Sequence, residues 1–148
     1  MAGRERRECS AIVAGRDELR LTLELDGDQI VSSQLRAIGC PEILKACTEW
    51  RVRITGSLAA LTLPSGESHS AILMRELILK AKGEWKFPYA EEELCHCRAV
   101  PALSVDAAVI YGAHSVPVVS RRTSAGTSCG TCQPDIQKVI AYRCGKSQ

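Results

Sequence analysis

Leu19-Arg20-Leu21-Thr22-Leu23-Glu24-Leu25-Asp26-Gly27 decides the fold class of the front half of the chain. Four leucines alternate with Arg20, Thr22 and Glu24, the period of two expected of a strand with one buried face. Asp26-Gly27 then signals a hairpin, whose turn positions favour residues that tolerate positive φ. Gln29 to Ile38 returns as the second strand, and Gly39-Cys40-Pro41 breaks it. Pro41 and Glu42 suit the first turn of a helix. Ile43, Cys47, Trp50 and Ile54 would share one face of it, with Thr55-Gly56 as the stop. A second helix is predicted from about His69 to Ala81, with Met74, Leu77, Ile78 and Ala81 apolar and Lys80, Lys82 and Gly83 at its cap. Antiparallel strands followed by helices make this an α+β module.

Downstream the pattern changes. Gly83 to Tyr89 reads as a seam, and the acidic run Glu91-Glu92-Glu93 follows it. Residues 1–90 and 91–148 are therefore expected to be separate domains. Beyond the seam Ser104 is predicted to cap a helix through Tyr111, closed by Gly112. Ser115 caps another, with Pro117 in its first turn, ending near Thr123. Pro134 and Asp135 open a third, reaching about Arg143. Tyr111 and Tyr142 are the only aromatics after residue 94. So small an all-α core needs a staple.

Composition narrows the function. With 148 residues, 45% hydrophobic and 24% charged, the chain is neither disordered nor fibrous. A net charge of +2 calls for no nucleic-acid partner. No apolar run reaches the ~18 residues of a membrane span. Ala11 to Gly15 is too short for the core of an export signal, so a cytoplasmic protein is expected. Eight cysteines then suggest metal or redox chemistry more than a disulfide framework.

Four of them are paired. Cys95-His96-Cys97 and Cys129-Gly130-Thr131-Cys132 form C-x-C and C-x2-C, separated by 31 residues. Two close pairs from distant segments converge readily as four thiolates, a set that suits an iron–sulfur cluster or a structural zinc. Residues 95–148 carry a net +4, which favours a dianionic centre but does not choose between the metals. Gly130 would let the backbone approach a sulfide, and the helix after Pro134 would aim N–H groups at an anion. A thioredoxin-like reading of Cys129 and Cys132 lacks the βαβ context it requires. His96 reads as a solvated loop residue and Cys144 as a bystander.

Residues 95–148 resemble the bacterioferritin-associated ferredoxin type of [2Fe–2S] domain. The likeness rests on C-x-C, the Ala-rich helix ending Tyr111-Gly112, and Gly126-Thr127-Ser128-Cys129-Gly130-Thr131-Cys132-Gln133-Pro134. It implies one [2Fe–2S] cluster on Cys95, Cys97, Cys129 and Cys132 in a small helical fold.

The front half is similar to the N-terminal scaffold domain of NifU, shared with IscU-type scaffolds. The likeness runs from about Gly15 to Gly83. It is carried by the strand–turn–strand, by Gly39-Cys40, by a helix ending at Gly56, and by Leu61-Thr62-Leu63-Pro64 ahead of His69-Ser70-Ala71-Ile72-Leu73. Such scaffolds present three cysteines. Here one position holds Gly15 or Arg16 (Asp17 matches the next residue), the second is Cys40, and the third is Ser70. A hydroxyl is a poor substitute for thiolate on iron, so residues 1–94 are not expected to build a cluster. Cys9 lies about six residues too early, on what reads as a flexible N-terminus. Cys40 opens a helix, a setting for a sulfur-accepting thiol or a packing one. Cys47 reads as core, and His69 as a residual ligand or a plain helix-start residue.

The resemblance implies a non-enzymatic, NifU-like iron–sulfur protein working in cluster assembly, cluster transfer or electron transfer. Implied partners are a cysteine desulfurase of the NifS or IscS kind, apo iron–sulfur acceptors, and a second copy in a homodimer. The alternative is a zinc-stapled interaction adaptor using the same four cysteines.

Overall fold

The computed structural model describes residues 3–145. The chain divides into two compact units, Met1–Ser65 with Leu73–Trp85, and Gly66–Ile72 with Lys86–Gln148. The division after Trp85 falls a few residues before the expected 90/91. Much of the supposed seam belongs to the second unit, where the Lys86 backbone N–H donates to the Tyr142 hydroxyl at 2.8 Å.

The first unit is built on a four-stranded antiparallel sheet in the order β1 (Arg4–Val13), β2 (Asp17–Asp26), β3 (Gln29–Ile38) and β4 (Gly56–Ser57). Leu19, Leu21, Leu23 and Leu25 of β2 are each no more than 1% exposed, as the alternation requires. Fully burying a leucine contributes roughly 1.5–3 kcal/mol, so these side chains fix the register. Asp26 pairs with Gln29, which makes Gly27-Asp28 the two-residue turn. That is one step later than Asp26-Gly27. Only Gly27 takes positive φ, at 61°, as a type II′ turn with glycine first demands.

Strand β1 was not foreseen. It pairs with β2 along its whole length, from Arg4↔Asp26 to Val13↔Asp17. Its side chains facing the sheet's covered side are Glu5, Arg7, Cys9, Ala11 and Val13, of which only Ala11 is fully buried. So weak an alternation is hard to see among Arg and Glu. As the edge of the sheet it carries charges in i,i+2 pairs, Arg6 with Glu8 and Arg7 with Glu5, an arrangement that discourages further strand pairing.

Helix α1 (Pro41–Arg51) ends before Ile54, yet Ile43, Cys47, Trp50 and Ile54 are all buried as one face. Helix α2 (His69–Lys82) closes at Gly83 (φ 74°) with the Gly83 N–H on Lys80 O and the Glu84 N–H on Leu79 O. This is the paired-bond glycine cap anticipated from Lys80 to Gly83.

The second unit holds α3 (Ala102–Ile110), α4 (Val116–Thr123) and α5 (Gln133–Arg143) around Val105, Val109, Val119, Ile136, Val139 and Ile140. The all-α expectation needs correction: β5 (Glu93–Cys95) and β6 (Val100–Pro101) form a short antiparallel ladder ahead of the helices. Ser104 is not a cap. Pro101, extended at φ −65° and ψ 149°, starts α3 three residues earlier. Ser115 does cap α4, accepting from the Val118 N–H. Asp106 of α3 and Arg143 of α5 form a buried bidentate pair at 2.7 and 2.6 Å. No helix among the described residues is long and apolar enough to cross a membrane.

Candidate metal centre

Two loops of the second unit bring the four paired cysteines together. Cys95 ends β5 and Cys97 lies in the tight turn to β6, where Ala99 takes φ 53°. Cys129 sits in the loop after α4, and Cys132 is the residue before α5. All four line a cavity of about 420 Å³, with Tyr89, Glu91, His96 and Asp135 also on its wall. Cys95 and Cys132 are buried, whereas Cys97 and Cys129 are exposed. The set has an inner pair and an outer pair.

The outer sulfurs lie 2.9 Å apart, and the Thr131 hydroxyl reaches Cys129 Sγ at 3.0 Å. Hydrogen bonds from the Cys97 thiol, the Thr131 hydroxyl and backbone N–H groups lower the Cys129 thiol to about 7. Its partner Cys97 is raised by sharing that hydrogen bond and by the charge on Cys129. In the inner pair, burial first and the neighbouring Cys95 second push Cys132 up to about 11. Burial also works against a Cys95 thiolate. The N–H groups of Gly126, Arg98 and Cys97 together with the Cys132 thiol outweigh it, and Cys95 is lowered. Each pair thus holds one sulfur ready to be thiolate and one that keeps the proton.

The donor set fits a thiolate-bound metal centre on this structure. Four soft donors converge, and the loop amides of Cys97, Arg98, Gly126 and Thr131 already point at sulfur. Amide donors stabilise the negative charge that four thiolates bring. These donors come from the loops, where the expected source was the α5 N-terminus. Gly126 stands in the quoted motif, but its backbone role is what sequence reasoning missed. It takes φ 74°, and a Cβ there would press on Gln133 Cγ at 3.2 Å and Ile136 Cδ1 at 3.3 Å. The Gln133 side-chain amide also donates to its carbonyl at 3.1 Å. At Gly130 glycine answers to φ 75°, since a Cβ would meet only the Gln133 side chain at ordinary contact distance.

His96 stays exposed in its turn, held by Glu93 at 2.6 Å and Glu91 at 3.6 Å, and the Glu93 hydrogen bond raises its pKa. None of the remaining cysteines lines this cavity. Cys9 is not on a flexible end: it sits within β1 opposite Leu21, with its thiol on Leu77 O, and burial raises it. Cys47 packs in the core of the first unit against Leu35 O, as expected. Cys40 precedes α1, and its N–H donates to the buried Asp17 carboxylate at 2.9 Å. Gly39 permits this, because a Cβ there would overlap that carboxylate. His69 starts α2 and stacks on the Tyr111 ring at 5.2 Å.

Residues 94–142 match the family model of the BFD-like [2Fe-2S] binding domain. Comparison with curated proteins and with solved structures gives no match. The matched span contains all four cavity cysteines and most of the second unit, and it leaves residues 1–93 outside. The cofactor of this module is a [2Fe–2S] cluster.

Proposed function

We propose that the chain holds its cluster on Cys95, Cys97, Cys129 and Cys132 and delivers electrons, or the cluster itself, to protein partners in iron–sulfur cluster assembly. The observation that carries this reading is the split between the buried Cys95 and Cys132 and the exposed Cys97 and Cys129. When bound, the cluster supplies a one-electron redox couple. The inner cysteines anchor it to the core, and the outer pair keeps one edge within reach of a partner. Loop N–H groups on the sulfurs hold the thiolate form and tune the potential. Nothing in this role needs a substrate pocket or a catalytic base, and we read the chain as non-enzymatic.

For the first unit the reading is NifU-like docking without cluster building. The strand–turn–strand, Gly39-Cys40 and the helix that follows carry the scaffold likeness. Against cluster building, Gly15 has no side chain, Ser70 offers a weak ligand, and the Cys9 thiol is engaged on the Leu77 carbonyl of α2. One thiolate suits a sulfur-accepting or merely structural role. The partners proposed for this surface are a cysteine desulfurase and a second copy of the chain, with apo iron–sulfur proteins as recipients.

Anaerobically purified protein should contain two irons and two sulfides, bleach with dithionite and give an S = ½ paramagnetic signal. Cys→Ala at any of the four cavity cysteines should abolish the visible absorption, while Cys47→Ala leaves it intact. Stoichiometric zinc with no signal after dithionite would favour the adaptor reading, and full iron in two of the four variants would overturn the ligand assignment.

A further inference from the structure

A second cluster of ligating side chains lies in the same unit, away from the four-cysteine cavity. Glu67 belongs to the turn before α2, His114 to the α3–α4 connection, and Cys144 caps the C-terminus of α5. One donor atom from each lies within 4.8 Å of the other two. None of the three lines the four-cysteine cavity.

The histidine is oriented as a ligand. Its Nε2 lies 3.0 Å from Val109 O, and a carbonyl only accepts, so Nε2 carries the hydrogen there. In the neutral ring the Nδ1 lone pair then faces the Glu67 carboxylate oxygen at 3.4 Å. Metal-bound histidines commonly have their other ring nitrogen on a backbone carbonyl, which sets tautomer and ring plane. With zinc–nitrogen and zinc–oxygen bonds of about 2.0–2.1 Å, the edge of a tetrahedral site is about 3.4 Å. The observed separation matches that edge.

We infer that Glu67, His114 and Cys144 form a zinc site with three protein ligands, linking three segments of the second unit. Thiolate, imidazole and carboxylate together suit zinc, whereas magnesium and calcium take oxygen alone. Cys144 is 8% exposed and anchors the site from the core. The Glu67 side chain is 45% exposed, so its rotamer adjusts to the metal and solvent completes the fourth position. The site stands whether or not the four-cysteine centre works as proposed above.

The test uses the full-length, cluster-loaded protein and zinc ion itself. Zinc titration should load one ion per chain with the iron content unchanged. Absorption at the zinc edge should show one sulfur and three nitrogen or oxygen neighbours. His114→Gln, Glu67→Gln and Cys144→Ser should each weaken zinc binding tenfold or more. Glu67→Gln, at a partly exposed side chain, reads the site without disturbing the core, and iron and visible spectrum report integrity throughout. A four-sulfur zinc shell would put the metal on the cluster cysteines and overturn the proposal. So would no zinc uptake, or wild-type affinity in Glu67→Gln and His114→Gln, since the pair would then be an ion pair with a proton between its partners.

Discussion

Cys129 and Cys132 are three residues apart and sit in opposite electrostatic settings. In metal-free protein the Cys129 thiol, lowered to about 7, is half thiolate near neutral pH, whereas Cys132, raised to about 11, stays protonated. Thiolate is the species that alkylates. Iodoacetamide labelling followed by peptide mass spectrometry should show Cys129 reacting with a midpoint near 7 and Cys132 scarcely reacting below 9. Cluster loading must expel the protons that remain, so it should slow as pH falls through 7. The thiols were legible in the sequence because two short spacings recur 31 residues apart. The amides that support them were not, because a backbone N–H carries no residue type. Gly126 is where that support was hidden. Gly126→Ala forces a side chain onto a left-handed backbone against Gln133 and Ile136, a strain of about 1–3 kcal/mol. The expected outcome is a lower melting temperature of the second unit and faster loss of iron to a chelator, with the first unit unaffected.

Among the elements, those with strong periodicity were readable and those defined by their neighbours were not. Strand β3 and helix α2 end where their patterns end, since Gly39 and Gly83 stop them. β1 carries its alternation on Arg7, Cys9, Ala11 and Val13, and its pairing with β2 is what makes it a strand. The start of α3 was misplaced because Ser104 has the chemistry of a cap, whereas the extended backbone of Pro101 decides. The α3–α5 packing turns on a pair that no motif announces. Asp106 and Arg143 side chains are 11% and 5% exposed, and each satisfies the other. Asp106→Ala strands a buried guanidinium and should destabilise the second unit by about 3–5 kcal/mol in denaturant unfolding. Arg143→Met in addition should recover most of that loss, because removing both charges costs far less than leaving one.

At the scale of the whole molecule the two units have different sources of stability. The first has a leucine-lined sheet and should fold without metal. The second has a core of small aliphatic side chains and should depend on its cluster for stability. Calorimetry should resolve two transitions. Stripping iron should lower one of them by ten degrees or more and leave the other within a degree or two.

Gly66–Ile72 belongs to the second unit although residues of the first lie on either side of it in sequence. The chain therefore cannot be cut once to separate the two. During synthesis residues 66–72 emerge from the ribosome well before most of 86–148, so the segment waits for partners that are not yet free to pack on it. A truncation ending at Trp85 keeps that segment with nothing to pack it, and one beginning at Lys86 lacks it. Expression boundaries for the cluster-bearing unit should start no later than Gly66 and accept the rest of α2 as a passenger.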